Sequence, residues 1–221
     1  MTKPRALIFD MDGTIVDNMS FHTQSWLAFF QQRGRTIDAQ EFFLATAGRH
    51  GREILREHLD PALSDDDCAA LTLEKEVLYR SLYAPHLKPV AGFEALLAQA
   101  KARGMALAVG TAAPDDNVRF TLDGLDLRRH FHTVVGAADV QRGKPAPDVF
   151  LKAAKDCGAA AEDCIVFEDA PLGVEAARNA GMRTVVLTTT MPAASFASYD
   201  NVIATVADFS ALSLDALFAT P

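Results

Sequence analysis

Cysteine is scarce in this sequence of 221 residues. The three cysteines, Cys68, Cys157 and Cys164, are an odd number, and no two of them form a CxxC pair. Their spacing to histidine is not that of metal ligands either. An odd, unpatterned set argues against a disulfide framework and against a cysteine-based zinc site. We therefore expect reduced thiols and a cytoplasmic protein.

Long apolar runs and clusters of basic residues are also missing. The apolar stretch at residues 6–9 meets Asp10 after four positions, which is too short for a signal peptide or a membrane span. No Lys/Arg-rich run offsets the net charge of −8. Nucleic acids and anionic membrane surfaces are bound chiefly by neutralising their phosphate charge, so we expect neither as a partner. Small anionic molecules stay possible where a metal or a local cation balances the charge.

Hydrophobic residues are plentiful, at 49% of the chain. This proportion can bury a sizeable core and excludes intrinsic disorder. Short apolar runs predict buried strands at residues 6–9, 105–109, 133–135, 165–167 and 184–187. Helical patterns lie between these runs, and three of the helices are predicted to end just before Gly104, Gly158 and Gly181. The alternation predicts an α/β fold with a doubly wound, mostly parallel sheet.

Two stretches lie outside this alternation. Residues 19–83 carry helical patterns only. We therefore expect a helical cap at residues 18–85, inserted into an α/β core of residues 1–17 and 86–221. The second stretch follows Leu187, where the sequence pattern predicts a loop, a last strand and a helix. We identify no candidate catalytic or binding residue in it.

Polar residues follow the predicted strands at their carboxyl ends, where open α/β sheets bind their ligands. In chain order they are Asp10, Asp12 and Thr14, then Thr111 and Ala112, then Lys144 between Gly143 and Pro145, then Glu168 and Asp169. Two acids from the first motif, the Thr111 hydroxyl, one lysine and two more acids would converge at one edge of the sheet. In composition, this set is a metal-assisted phosphoryl-transfer site.

Each of these residues also has a plain structural explanation. Asp12-Gly13 is a common turn signal, and Glu168-Asp169 before Ala170-Pro171 could begin a helix. Thr111 could cap the helix that follows it, and Lys144 could be an ordinary solvated lysine. The chemical interpretation is favoured because all four positions fall directly after predicted strands, where independent structural explanations would have to coincide.

Four motifs resemble the haloacid dehalogenase-like hydrolase superfamily in order and spacing: FDMDGT, then Thr111 after the second strand, then GKPAPDVF and FEDAPLGVEAARNAG. The resemblance covers nearly the whole chain. A helical cap between the first two motifs, opened by a helix that carries His22, is similar to the β-phosphoglucomutase and sugar-phosphate phosphatase group. The resemblance implies a Mg²⁺-dependent enzyme that acts on a small phosphorylated substrate.

The resemblance also implies catalytic and metal-binding roles. Asp10 would attack phosphorus and form an aspartyl-phosphate, and Asp12 would serve as general acid and then general base. Mg²⁺ would be held by the Asp10 carboxylate, the Asp12 backbone carbonyl and the Asp169 carboxylate. Glu168 would be a further ligand or would act through a ligand.

The transferred phosphoryl group would be held by Lys144, by Thr111 and by the backbone N–H of Ala112. Asp12 argues against dehalogenation, because a halide leaving group needs no acid and dehalogenase members usually lack this aspartate. No GxGxxG motif follows any predicted strand, which disfavours a nicotinamide-dependent oxidoreductase.

The cap is expected to close over the site and to contact the part of the substrate that differs between family members. The resemblance implies that His22 reaches the leaving-group oxygen or Asp12; the alternative is a partly exposed helix residue. Gly48 matches the glycine of the family's cap loop. Arg49, His50 and Arg52 are candidate contacts to sugar hydroxyls or to a second phosphate, with a solvated charged turn as an equal alternative for each.

Two cap positions depart from the mutases of the group. Ala47 stands where a lysine is typical, and Asn18 where a threonine is common. A mutase must retain a bisphosphorylated intermediate, which demands cations in the cap, although Arg49 or Arg52 could replace the lysine. The sequence therefore favours a phosphatase over a β-phosphoglucomutase-like mutase. A non-catalytic binding module is disfavoured because every motif position keeps its functional group. The substrate and the oligomeric state stay open, with a monomer favoured.

Overall fold

The computed structural model describes residues 5–46 and 51–219, and only the backbone of Leu44, Phe218 and Ala219. The chain divides into two compact units. The first comprises the described residues up to Asp17 and those from Leu87 onward. The second, which we call the helical unit, spans Asn18–His86.

A six-stranded sheet forms the centre of the first unit, and all its neighbouring strands run parallel. The strands are β1 (Ala6–Phe9), β2 (Ala106–Gly110), β3 (Thr133–Val135), β4 (Cys164–Glu168), β5 (Arg183–Leu187) and β6 (Val202–Val206). Their order is β3-β2-β1-β4-β5-β6, so the chain builds one side of the sheet and then crosses β1 to build the other. The predicted doubly wound α/β fold is confirmed.

The α-helices of the described residues lie mostly where the sequence patterns place them. They are α1 (Met19–Gln31), α2 (Ala39–Thr46), α3 (Gly51–His58), α4 (Asp65–Tyr83), α5 (Phe93–Ala102), α6 (Asp115–Gly124), α7 (Asp148–Asp156), α8 (Pro171–Asn179) and α9 (Leu214–Ala219). Helix α8 begins with a proline, whose missing N–H costs no hydrogen bond in the first turn of a helix. Among the described residues, no helix is both long and apolar enough to cross a membrane.

Side chains alternate between the two faces of the sheet, as the twofold repeat of a strand requires. On one face, Ile8 and Val166 belong to a buried cluster with Phe150 of α7 and Ala177 of α8. Phe9, the next residue of β1, points to the other face. Because both faces of the central strand are covered by helices, the strand reads as a continuous apolar run in the sequence.

Phe9 is the centre of an aromatic cluster on its face of the sheet. Its ring centroid lies 4.6 Å from that of Phe167 in a stacked arrangement and 5.2 Å from that of Phe93 in an edge-on one. Phe131 and Phe209 lie at 6.3 Å and 6.2 Å. Phe9 is the last residue of β1 and immediately precedes Asp10, so the cluster fixes the end of this strand.

The helical unit has an apolar core of its own. Helices α1 to α4 bury Trp26, Phe29, Phe30, Phe42, Ile54, Leu55 and Cys68. Helix α4 begins after Ser64, whose side chain accepts a hydrogen bond of 3.1 Å from the backbone N–H of Asp67. Asp67 returns the interaction to Ser64, which completes a capping box. The insertion thus folds around its own aromatic core.

We expect Phe9→Ala to lower the free energy of unfolding by about 3–5 kcal/mol, because it removes a fully buried ring from a packed cluster. Urea denaturation followed by circular dichroism measures the change. Leu151→Ala is the matched control: Leu151 is 42% exposed, and its truncation should cost less than about 1 kcal/mol. Similar losses for both variants would contradict the central position of Phe9.

Candidate active site

The carboxyl ends of β1 and β4 lie side by side in the middle of the sheet. The parallel register pairs Phe9 with Phe167, and the backbone N–H of Asp10 donates to the Phe167 carbonyl at 2.9 Å. Asp10 therefore lies next to Glu168 at the same edge. The topology brings together acids that are 158 positions apart in the printed sequence.

Three buried carboxylates form the centre of this edge. Asp10, Glu168 and Asp169 each place one carboxylate oxygen within 4.8 Å of the other two. The residues are only 6%, 1% and 2% exposed. Burying a carboxylate is costly unless a cation or hydrogen-bond donors compensate for the lost water. The cluster therefore needs positive charge close by.

Lys144 supplies part of that charge. Its Nζ donates to Asp10 Oδ1 at 2.6 Å and to Glu168 Oε1 at 2.7 Å. Burial lowers the pKa of the Lys144 ammonium, but the two carboxylates outweigh burial and hold the pKa above its ordinary value. Lys144 is therefore a fixed cation between the ends of β1 and β4, in place of the solvated lysine that the sequence left open.

Glu168 is held in one orientation by the start of α8. Its Oε2 accepts backbone hydrogen bonds from Asp169 at 2.8 Å and from Ala170 at 2.9 Å. A Cβ added to Gly173 would lie 1.6 Å from Glu168 Oε1, so the carboxylate needs a glycine at that position. Glu168 thus interacts with the helix start through one oxygen and with Lys144 through the other.

Asp169 packs against the turn that follows β1. Its Oδ1 accepts a hydrogen bond of 3.1 Å from Thr14 Oγ1. A Cβ on Gly13 would lie 2.0 Å from Asp169 Oδ2, and Gly13 has a φ of 80°, which other residues rarely adopt. Asp12, half-buried in the same turn, forms a β-bridge with Val16. The DMDGT segment is a tight turn and part of the acidic cluster at once.

The pKa values reflect the excess of negative charge. Burial raises the pKa of Asp10 to about 7, Glu168 adds to this effect and Lys144 opposes it. Burial and the charges of Glu168 and Asp10 raise the pKa of Asp169 well above its ordinary value. One lysine does not balance three carboxylates. A buried set of carboxylate oxygens with an excess of negative charge fits a hard divalent cation such as Mg²⁺.

Thr111 and Ala112 lie at the end of β2, beside β1 in the sheet. Thr111 is buried, and its backbone N–H donates to the Val135 carbonyl at 3.0 Å. Its Oγ1 accepts from the backbone N–H of Ala113 at 3.1 Å, so the hydroxyl is oriented by its own loop. Ala112 is exposed. Both residues stay candidates for binding a phosphoryl group.

A second buried polar group lies inside the helical unit, around His22 of α1. The His22 ring stacks on Tyr79 with centroids 3.8 Å apart, and its Nδ1 lies 2.9 Å from Lys75 Nζ. Lys75 is only 3% exposed and also donates to Glu76 Oε1 at 2.8 Å. An ammonium can only donate hydrogen bonds, so Nδ1 of His22 accepts and its ring hydrogen lies on Nε2.

Lys75 and Glu76 were missed in the sequence analysis. Lys75 falls on the same helical face of α4 as the buried residues Cys68, Tyr79 and Tyr83. A lysine on the apolar face of an amphipathic pattern is the signal that could have identified it, because such a charge needs a partner.

The other residues predicted in the helical unit are only partly described. Gly48, Arg49 and His50 lie outside the described residues, as does Ala47. Arg52 is exposed in the first turn of α3. Asn18, which replaces a common threonine, is buried and donates through Nδ2 to the Tyr79 hydroxyl.

Comparisons with known proteins identify the family. A family model described as "Haloacid dehalogenase-like hydrolase" matches residues 7–187. The chain therefore belongs to the haloacid dehalogenase-like hydrolases, and the resemblance drawn from its motifs is confirmed.

Individual relatives and solved structures show which members of this family the chain is similar to. The chain is 36% identical over 179 residues to the fructose-1-phosphate phosphatase YqaB of Escherichia coli K12, covering 81% of this chain and 94% of the relative. It superimposes on a hydrolase of family IA from Entamoeba histolytica with a TM-score of 0.91 at 26% identity, covering 97% of each chain. A β-phosphoglucomutase from Clostridium difficile shares the fold, with a TM-score of 0.82 at 24% identity over 97% of this chain and 95% of that one.

We expect Asp169→Asn to stabilise the metal-free protein at pH 7 and to have little effect at pH 4. The raised pKa values of Asp10 and Asp169 mean that the folded state binds protons more tightly than the unfolded chain. This part of the stability is therefore present below pH 3.8 and is lost as the pH rises through the raised pKa values, of which that of Asp10 is about 7. Melting temperatures in EDTA measure the difference. The exposed Asp200→Asn is the control. A wild type that melts above Asp169→Asn at pH 7 would contradict the excess of negative charge.

We expect the neutral ring of His22 to carry its hydrogen on Nε2, because Lys75 donates to Nδ1. Long-range ¹H–¹⁵N correlation spectra distinguish the two tautomers. Lys75→Met removes the donor and should reduce the preference for Nε2–H. A protonated Nδ1 in the neutral wild-type ring would show that the pair is not formed.

Proposed function

We propose that this protein is a Mg²⁺-dependent phosphatase that hydrolyses a small phosphorylated metabolite, in the first instance a sugar phosphate, through an aspartyl-phosphate on Asp10. The observation that carries this proposal is the placement of Asp10: a buried carboxylate at the end of the central strand, 2.6 Å from the Lys144 ammonium and within 4.8 Å of Glu168 and Asp169. A nucleophile, a fixed cation and candidate metal ligands are thus within one small volume.

Asp10 is the proposed nucleophile. A carboxylate oxygen of Asp10 attacks phosphorus, the P–O bond to the substrate's alcohol breaks, and Asp12 gives its proton to the departing alkoxide. Asp12 then takes a proton from a water molecule, whose oxygen attacks the phosphorus of the aspartyl-phosphate. The acyl–phosphate bond breaks, inorganic phosphate leaves, and the Asp10 carboxylate is restored. The tight turn between β1 and Val16 keeps the two acids close but gives them different surroundings.

The metal would be held by the carboxylates of Asp10 and Asp169 and by the backbone carbonyl of Asp12. When bound, Mg²⁺ reduces the repulsion between the anionic nucleophile and an anionic phosphate ester. Of the two roles predicted for Glu168, the geometry supports the indirect one. Its oxygens already interact with Lys144 and with the backbone N–H groups of Asp169 and Ala170, just before α8, so Glu168 fixes the cation that the phosphoryl group meets.

Lys144, the Thr111 hydroxyl and the backbone N–H of Ala112 would bind the transferred phosphoryl group. Transfer spreads negative charge over its peripheral oxygens, and positioned donors stabilise that charge without reorganising. The Thr111 hydroxyl accepts from Ala113, which leaves its hydrogen as a donor. This explains why a hydroxyl is buried at the end of β2.

Two further observations support hydrolysis rather than mutase chemistry. The relative from Escherichia coli is named a fructose-1-phosphate phosphatase. In addition, Ala47 stands where the mutases of the group typically carry a lysine, so this sequence lacks one cation that could hold the second phosphate group of a bisphosphorylated intermediate.

A β-phosphoglucomutase-like mutase is the second candidate. The observation that favours it is Lys75, a buried cation in the helical unit next to His22. A cation of this kind is what the retention of a bisphosphorylated intermediate demands, although here it is already engaged by Glu76.

Incubation with a panel of sugar phosphates that includes fructose 1-phosphate tests the proposal. We expect phosphate release with Mg²⁺ and none with EDTA, and a loss of about 10³-fold or more in Asp10→Asn, since the nucleophile is removed. Asp17→Asn is the control, because Asp17 is an exposed acid just beyond the same turn.

Each alternative has its own signature. Isomerised sugar phosphate without net phosphate release would favour the mutase. No turnover on the panel, together with no Mg²⁺-dependent binding of beryllofluoride, would contradict both enzymatic functions and favour a binding module.

A further inference from the structure

We infer that Thr189 and Thr190, which follow β5, are positioning residues of the active site: Thr189 fixes the turn that carries Asp12, and Thr190 supports Asp169 when a divalent cation is bound. This inference rests on the proposed function in taking the acidic cluster as the metal site. The sequence pattern of this segment predicts a loop without any catalytic motif, and β5 lies two strands away from β1 in the sheet.

Thr189 reaches back across 176 positions to the first motif. Its Oγ1 donates a hydrogen bond to the backbone carbonyl of Gly13. The same Gly13 donates its N–H to the Val16 carbonyl at 2.8 Å, so both polar backbone groups of Gly13 are fixed. Asp12 immediately precedes Gly13, and its position as general acid therefore depends on a hydroxyl from the β5 loop.

Thr190 lies on the other side of this contact. A Cβ built on Gly13 would lie 2.7 Å from Thr190 Oγ1 and 2.0 Å from Asp169 Oδ2, so these two oxygens flank the same point. Thr190 Oγ1 is buried from solvent. It interacts with the Asp169 carboxylate and lowers the pKa of that group, but the contact does not reach the geometry of a full hydrogen bond. A hydroxyl is thus buried beside the carboxylate proposed to bind metal.

A buried hydroxyl without a well-formed hydrogen bond opposes folding, because it has lost its interaction with water. Valine has nearly the same shape and would fill the space without this cost. A buried hydroxyl of this kind is rare in native proteins and needs a specific explanation. A role in a functional site is one such explanation. The position of the Thr190 hydroxyl beside Asp169 indicates that it serves the metal site rather than the stability of the fold.

Groups that contact metal ligands commonly orient them, and their loss typically lowers metal affinity or activity by about 10–100-fold. Thr190 would act on Asp169 in this way. Thr189 would act on the acid, and a small displacement of a catalytic group is enough to slow turnover. We therefore expect the loss of the Thr190 hydroxyl to lower metal affinity. We expect the loss of the Thr189 hydroxyl to lower the rate constant even at saturating Mg²⁺, where a weaker grip of the Asp12 carbonyl on the metal no longer contributes.

Isothermal titration calorimetry of the metal-free protein with Mg²⁺, without substrate, tests Thr190. We expect Thr190→Val to raise the Kd for Mg²⁺ about tenfold or more, with a melting temperature in EDTA equal to or above that of the wild type. Thr190→Ser keeps the hydroxyl and should restore the Kd to within about twofold of wild type. Thr188→Val is the matched control, because Thr188 Oγ1 contacts the Val206 carbonyl at 3.4 Å instead of the acidic cluster.

Steady-state kinetics at saturating Mg²⁺ test Thr189. Thr189→Val should lower kcat about tenfold and leave KM within about twofold, and Thr189→Ser should restore kcat. Wild-type Mg²⁺ affinity in Thr190→Val would overturn the inference for Thr190, as would equal impairment of Thr190→Val and Thr190→Ser. An unchanged kcat in Thr189→Val would overturn it for Thr189. A wild type that binds Mg²⁺ but hydrolyses no phosphate ester would refute the proposed function while leaving the calorimetric test of Thr190 intact.

Discussion

The burial of three carboxylates around a single lysine is the constraint on which this structure depends. Asp10, Glu168 and Asp169 are nearly free of solvent, and Lys144 interacts with two of them. Such a cluster is unfavourable by itself, so the fold must hold it in place with contacts elsewhere. The aromatic cluster around Phe9 and the regular register of β1 with β4 provide that support, and a divalent cation would remove the remaining imbalance.

The same constraint explains several small residues whose side chains do no chemistry. Gly13 and Gly173 each lie where a Cβ would collide with a carboxylate of the cluster. Thr14 donates to Asp169 from the turn itself. Close packing around the acids replaces the water that they have lost, and it leaves each carboxylate few orientations. These neighbours thus provide the preorganisation that the proposed phosphoryl-transfer site requires.

Much of the fold and of this cluster could be predicted from the sequence, for identifiable reasons. The strands are short apolar runs because both faces of a parallel sheet are buried, and the motif residues converge because parallel strands end at one edge. The orientation of Glu168 could not be predicted, because it depends on which of its two oxygens meets Lys144. Lys75 is one of several charged residues in the helical pattern of α4, and the pattern does not show which of them is buried. Thr189 and Thr190 lie in a stretch directly after β5 that contains no charged residue to draw attention to it. Their importance depends on side-chain directions that no spacing rule gives.

The position of β1 in the sheet has a consequence for how the site forms. β1 is the first strand of the chain, yet its two neighbours are β2 and β4, and the helical unit intervenes before either. Lys144 contacts Asp10 across 134 positions, and Thr14 contacts Asp169 across 155. During synthesis the proposed nucleophile emerges early and stays exposed to water until β4 is made and paired. The acidic cluster is therefore complete only after β4 has paired with β1, and a chain that stops before β4 would carry the proposed nucleophile and Lys144 without Glu168 and Asp169.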